Sequence, residues 1–434
     1  MQRRASGLLA AGLTIAILLS GCGSSDNPDE SADGPTTITV SVWNYEKTPE
    51  FKALFTAFQA KNPDIKIEPV DILADVYSDK LTTMLAGGDS TDVLTMKNVT
   101  DYARYGLRGQ LQDLSSLVKE IKSEPISGLD AFDLDGRYFA VPYRQDFWLL
   151  YYNKDLFDAA GISYPGALTW TEYVALSKRL TKDVAGKKVY GTYQHTWRSV
   201  VQAVAAAQTG GKLLSGNYDF MKSQYEIALD LQRSGATLDW STAWSQKVSY
   251  RTMFETGATA MLPMGTWYAA GILQAKADGS SKVNWGMAPM PQPTAGGKNT
   301  TFGSPTAFAV NKKAKHPAAA KRFITWATGA EGASSIAAIG ITPALQNDAV
   351  TAAFLAVKGM PTDDGSKRAS RPDTVMQEMP VSEHTSDIDR ILTEEHQLIM
   401  SGEKKIPDGI ASMGSRVKRD VLRGLSHTAA EPKA

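Results

Sequence analysis

From Thr37 to Trp43 the chain reads Thr-Ile-Thr-Val-Ser-Val-Trp, apolar at every second position, which predicts a strand with one face buried. The period then changes. Thr48 offers a helix cap and Pro49 suits the first helical position, where its missing N–H costs nothing. Phe51, Leu54, Phe55 and Phe58 follow at helical spacing. Ile65 to Val70 alternates as a second strand, and Tyr77, Leu81, Met84 and Leu85 predict a helix that Gly87 and Gly88 stop. Asp92 to Met96 is a short apolar run, a buried strand. Strands alternating with helices predict βαβ units and a mostly parallel sheet.

Further along, Asp133-Leu134-Asp135-Gly136 predicts a hairpin turn leading into strand-like runs at 137–143 and 148–152. A calcium loop is excluded there, because Ala131 holds the first ligand position and no Glu closes the loop. Thr169 and Glu172 form a capping box for a helix carrying Tyr173, Leu176 and Leu180. Phe308 to Val310 predicts a strand, and Pro317 opens a helix with Ala320, Phe323, Ile324 and Ala327 on its apolar face. Ile388, Ile391, Leu392, Leu398 and Ile399 predict a long C-terminal helix. There is no internal repeat.

The first segment follows a different rule. Arg3 and Arg4 precede an apolar stretch from Gly7 to Leu19, too short for a hydrocarbon core that needs ~20 residues. Leu19-Ser20-Gly21-Cys22 closes it, and these four residues resemble a bacterial lipobox, in which the cysteine is lipidated and becomes the mature N-terminus. Cys22 is the only cysteine, so no intramolecular disulfide is possible. Gly23 to Pro35 is too polar to bury a core and reads as a tether. The remaining chain, about 410 residues, exceeds what one core usually serves, so two lobes are expected. Forty-six basic residues balance 46 acidic ones, which leaves no basic block for nucleic acid. Nine Trp and 16 Tyr supply either a thick core or a stacking surface.

Motifs for catalysis are missing. No phosphate loop, His-Glu-x-x-His, Gly-x-Ser-x-Gly or clustered metal ligands occur, and the five His are scattered, so neither metal nor cofactor is expected. A pair of carboxylates meeting in a cleft stays open as a hydrolase alternative.

Several segments in order resemble the extracellular solute-binding proteins of family 1, the maltose-binding-like receptors that feed sugars to ABC importers. They are Thr37–Phe58, Met84–Val93, Tyr138–Phe157 (above all Val141-Pro142-Tyr143 and Tyr151 to Phe157), Phe254–Met261 with Gly265-Thr266-Trp267, Trp285–Pro291 and Phe308–Asn311. The resemblance implies an α/β, two-lobed fold with the ligand cleft between lobes joined by a multi-stranded hinge. The chain would cross near Pro142–Arg144, near Gly303–Thr306, and a third time before the C-terminal helices. Expected boundaries are a signal peptide at 1–21, lipidated Cys22 and tether at 22–36, one lobe from 37–142 plus 305–345, the other from 143–304 plus 346–425, and a disordered tail at 426–434.

It also implies ligand contacts. Trp43, with Asn44 and Glu46 beside it, stands where the family's first cleft loop lies, and Trp267 where the family has a stacking aromatic. Asp92 is either a ligand group or a strand cap, with Lys97 and Asn98 the alternatives at the strand's far end. Gln145, Asp146 and Trp148 follow the hinge, and His195 and Trp197 lie on a loop of the second lobe. Gly303 and Ser304 would let backbone approach the solute. Trp170, Trp285 and Trp326 are assigned to packing; Trp240 and Trp244 are unassigned. The implied protein is a monomeric, non-enzymatic lipoprotein on the outer face of the cell membrane, partnered by a carbohydrate and ABC permease subunits. Alternatives are a secreted carbohydrate-active enzyme and a same-fold receptor for a non-sugar solute, and Arg144 and Arg198 leave an acidic sugar open.

Overall fold

A computed structural model describes residues 35–121, 124–184 and 186–423. The leader, Cys22, nearly all of the tether and the expected tail lie outside the described residues.

Ten strands occur among them: β1 (Thr36–Trp43), β2 (Ile65–Ile72), β3 (Val93–Met96), β4 (Ala140–Asn153), β5 (Lys182–Val184), β6 (Lys187–Val189), β7 (Met261–Gly265), β8 (Trp285–Ala288), β9 (Thr300–Val310) and β10 (Thr374–Gln377). β5 and β6 form a separate hairpin; the other eight make one sheet in the order β2-β1-β3-β9-β4-β7, with β10 on β9 and β8 on β4. β1 runs parallel to β2 and β3, as the βαβ pattern predicts. β9 is antiparallel to both β3 and β4, and β4 to β7 and β8, so the sheet is mixed rather than mostly parallel. The reason is the route of the chain: it leaves the first core along β4 and returns along β9, and two such paths must run in opposite directions.

The two runs expected at 137–143 and 148–152 are one 14-residue strand, β4. Its polar middle does not interrupt it, because residues 144–147 pair with 303–306 of β9. One end of β4, with Ala140, Val141 and Tyr143, packs in a core with β1, β3 and helix α1 (Pro49–Lys61). The other end, Phe147 to Tyr152, packs in a second core with β7, β8 and helix Thr385–Met400. Residues 342–344 lie beside the same stretch, where Gln145 N–H donates to the Thr342 carbonyl and Ala344 N–H to that of Tyr143. Three segments therefore meet where the cores meet.

Local signals hold in detail. Phe51, Leu54, Phe55 and Phe58 are buried on α1, and Gly88 takes φ +80° at the end of helix α2 (Tyr77–Ala86). The Thr169–Glu172 capping box is complete. Thr48 differs: it makes no side-chain cap, and its hydroxyl donates to the Trp43 carbonyl at 2.8 Å.

Candidate functional site

Alternation along β4 puts Arg144, Asp146 and Trp148 on one face. Thr306 and Ser304 stand opposite Arg144 and Asp146 on β9, and Phe302 stacks on Trp148 with centroids 5.0 Å apart. Arg144 is buried and holds three partners from three elements. Its guanidinium pairs with Glu50 of α1, with Asp146 at 2.6 Å, and donates to Thr306 Oγ1 at 3.0 Å. Asp146 also accepts from Thr266 Oγ1 at 2.9 Å, beside Trp267. Burial pushes the carboxyls of Glu50 and Asp146 up, and Arg144 pulls both back. Burial also works against the charge of Arg144, but its carboxylate neighbours more than offset that.

Beyond this cluster, β4 and β7 carry an aromatic wall. Trp148 lies opposite Gly265 in the pairing. Trp267, two residues on, folds back so that its ring occupies the space over Gly265: a Cβ there would sit 1.8 Å from a ring carbon. Only glycine permits that approach. Trp148 meets Trp267 edge-on at 5.7 Å and Trp197 at 6.2 Å. His195 lies edge-on to Trp197 at 4.5 Å and to Tyr250 at 5.3 Å. Burial pushes the His195 imidazole down to about 4, so it is neutral at pH 7. Trp197 remains 38% exposed. Among the described residues the Trp148 indole N–H and Ser304 Oγ, buried atoms on the same face, have no protein partner. Buried polar groups normally have one, so these two are available to a solute.

The facing wall belongs to the first core and is built differently. Trp43 is buried edge-on against Phe51 at 4.9 Å and Tyr77 at 5.3 Å. Lys97 Nζ and Arg144 Cζ lie 5.6 and 5.8 Å from its ring centre. Burial lowers Lys97 to about 8, and its ammonium donates to the Ala74 carbonyl at 2.7 Å. Ser78, Lys97, Asn98 and Asp101 line a small crevice beside Tyr77. Burial raises Asp101, and Asp389 of helix Thr385–Met400 raises it further from the other core. Arg251, in helix Tyr250–Glu255, donates across to the Lys47 carbonyl at 3.5 Å.

The structure thus brings Asp146, Trp148, His195, Trp197, Trp267 and Ser304 together, while Trp43 packs beside Arg144 and Asn98 lines the crevice by Tyr77, both on the side of the first core. Five expected ligand residues sit otherwise. Asp92 lies at the other end of β3 from Asn98, where its carboxylate accepts from Thr39 N–H and Oγ1 and from His316 N–H; it is a structural cap. Gln145 points to the opposite face of β4, where its side-chain oxygen lies against Gly128. Gly303 is needed because a Cβ would lie 1.9 Å from the Asp146 carbonyl oxygen, so the close approach is of β4 rather than of a solute. Asn44 takes a left-handed φ of 44° and accepts from Ala74 N–H, which makes it a turn residue. Glu46 is exposed and lines a groove of about 460 Å³ with Pro49, Lys52 and Gln274.

Sequence reasoning missed Glu50, Glu378, Asp389, Tyr250 and Arg251. Glu378 is half-buried and bonded to Ser199, with its N–H on the Gly303 carbonyl. Asp389 accepts from Arg198 Nε at 2.7 Å. Both acids lie in the last 60 residues, where no local motif points at them. Glu50 carried only the signal of an acid in a first helical turn.

A family model described as bacterial extracellular solute-binding protein matches residues 44–334. A mannitol-binding protein of Pseudomonas aeruginosa is 24% identical over 68% of this chain and 70% of its own length. The maltodextrin-binding protein of Bacillus subtilis is 24% identical over 75% and 77%. Among solved structures, a sugar transporter of Rhizobium etli in an open conformation is 35% identical, with a TM-score of 0.74 over 88% of this chain and 99% of that one. A Listeria monocytogenes ABC substrate-binding protein in complex with cycloalternan shares the fold at 23% identity, TM-score 0.76, over 89% and 99%.

Proposed function

Because the chain belongs to the family of bacterial extracellular solute-binding proteins, we propose that it is a receptor that holds a sugar or oligosaccharide between its two lobes and delivers it to an ABC importer. One lobe takes 37–142 with 305–345 and the helix Asp348–Leu355, whose Val350 packs against Ala333 and Ala337, and the other takes 143–304 with the chain from there to 423. The observation that carries this reading is the wall of Trp148, Trp197 and Trp267 with two unpartnered hydrogen-bonding atoms, Trp148 Nε1 and Ser304 Oγ, set into it. Sugar rings offer apolar C–H faces to such rings and hydroxyls to such atoms. Asp146, His195, Trp43 and Asn98 complete the set of contacts.

The two arginines that left an acidic sugar open favour a neutral solute. An acidic sugar needs a cation with donors to spare. Arg144 is committed to Glu50, Asp146 and Thr306, and Arg198 to Asp389 and Gln202. The receptor binds without turnover, works as a monomer outside the cytoplasm, and is held to the outer face of the membrane by lipid on Cys22. Relatives named for mannitol and maltodextrin binding support the choice of a polyhydroxylated solute.

Calorimetry against neutral and uronate-bearing sugars tests this. Saturable binding of a neutral sugar, with unchanged ligand recovered, is expected. Product formation, or preference for the uronate, overturns the reading.

A further inference from the structure

The stacking surface does not end at Trp197. Counting outward from β4, the next extended segment is β7, and residues 190–194 run parallel beside it: Tyr190 bridges Thr259, and Tyr193 N–H donates to the Met261 carbonyl at 3.0 Å. Residues 236–238 run parallel beside those in turn, with Thr192 N–H on the Ala236 carbonyl at 3.1 Å and Gln194 N–H on Thr237 Oγ1 at 3.2 Å. Each segment ends in tryptophan at the same end of the array. β7 gives Trp267, the second gives Trp197, and the third runs into helix Trp240–Ser245. Carboxyl ends of parallel segments are where solutes bind in open α/β folds.

The outermost member is built as a platform. Trp240 and Trp244 are one helical turn apart, and their rings stack with centroids 5.2 Å apart and planes at 11°. Trp240 is 6% exposed, and its indole N–H donates to the Thr196 carbonyl at 3.2 Å, one residue before Trp197. Asp239 caps the helix by accepting from Thr242 N–H. Trp244, lying on this fixed support, is 50% exposed and Trp197 38%, while Trp148 at the inner end of the row is 2% exposed and Trp240 serves as the buried support. A buried start and an open end fit a linear ligand whose first unit is enclosed and whose later units lie in water.

We propose that the Trp240–Trp244 pair is an outer subsite that stacks a distal unit of a linear neutral oligosaccharide, so that the receptor selects chains over monosaccharides. This rests on the sugar-binding reading above and adds chain length to it. Continuity with the wall at Trp197 and the prepaid orientation of Trp244 argue for an extension of the same ligand rather than an unrelated partner.

Calorimetry on the full chain with linear malto-, manno- and arabino-oligosaccharides, from mono- to hexasaccharide, provides the test. In at least one series affinity should rise with length. Trp244→Ala should then weaken the longest ligand about tenfold and leave the shortest that binds unchanged, while Trp244→Phe restores most of the loss. Acrylamide quenching gives a second readout: the long ligand should shield tryptophan fluorescence in the wild type more than in Trp244→Phe. Length-independent affinity, or an equal loss for short and long ligands, overturns the outer subsite alone. If no sugar of any length binds the wild type, the receptor reading falls and this inference with it.

Discussion

The two walls that face each other share a meeting place and little else. On the first-lobe side Trp43 is covered by Phe51, Tyr77 and two cations, and Lys97, Asn98 and Asp101 already have protein partners. On the second-lobe side Trp197 is 38% exposed and Trp267 is half-buried, while Trp148 behind them is 2% exposed and, like Ser304 Oγ, has a buried polar atom without a protein partner. The same residue type therefore serves opposite ends. Trp43 and Trp148 are held in place by their neighbours, and Trp197 keeps over a third of its surface open. The first wall is a charged abutment; the proposed stacking surface lies on the second.

The largest expected effect lies at the abutment. Glu50→Ala strands Arg144 in a buried site with one carboxylate fewer, and removing one partner of a buried pair costs about 3–5 kcal/mol. Urea denaturation should show that loss; a change below about 1 kcal/mol would mean the cluster is hydrated and the two walls are less different than described. Next comes the aromatic wall. Trp267→Ala should weaken sugar binding by about 2 kcal/mol, roughly thirtyfold, with an unfolding midpoint near that of the wild type. Unchanged affinity would remove Trp267 from the site.

A smaller effect separates His195 from its exposed counterparts. Burial holds the folded imidazole at about 4, below its ordinary 6.5. Between those values the unfolded chain takes up a proton that the folded one refuses, so this contribution is complete above pH 6.5 and is lost as pH falls towards 4. Unfolding midpoints of wild type and His195→Asn across that window should therefore converge on acidification. Parallel curves would place the ring in water. Smallest of all, Glu46→Ala should change stability by less than about 0.5 kcal/mol and leave affinity unaltered, because the side chain is exposed beside α1. A clear loss of affinity there would extend the first wall outward.

Fold and site were legible to different depths. Periodicity located β1, α1, β2 and α2, since a face buried more than its opposite leaves a period in the sequence, and β3 showed as a short apolar run because all four of its residues are buried. The union of 137–143 and 148–152 into β4 was hidden, since Arg144 and Asp146 look like a break until Glu50 and Thr306 arrive from elsewhere in the chain. Trp148, Trp197 and Trp267 were legible as aromatics flanking turns and strand ends. Glu378 and Asp389 were not, because their role comes from Ser199 and Arg198, 179 and 191 residues away. Gly303 was noticed for the right property and the wrong neighbour: the chain needs its bareness for β4.

The pairing of β4 with β9 slips by one residue between Pro142 and Arg144. The buried ion cluster is centred on this irregularity, where the two cores meet. A rotation of one lobe about that point displaces atoms in proportion to their distance from it. For a turn centred there, Glu50, Arg144 and Asp146 would have a short lever arm and keep their pairing, whereas the long bond from Arg251 to the Lys47 carbonyl would be the one to break. Such a turn would cost a peripheral contact and no separation of buried charge, a jaw whose axle stays locked.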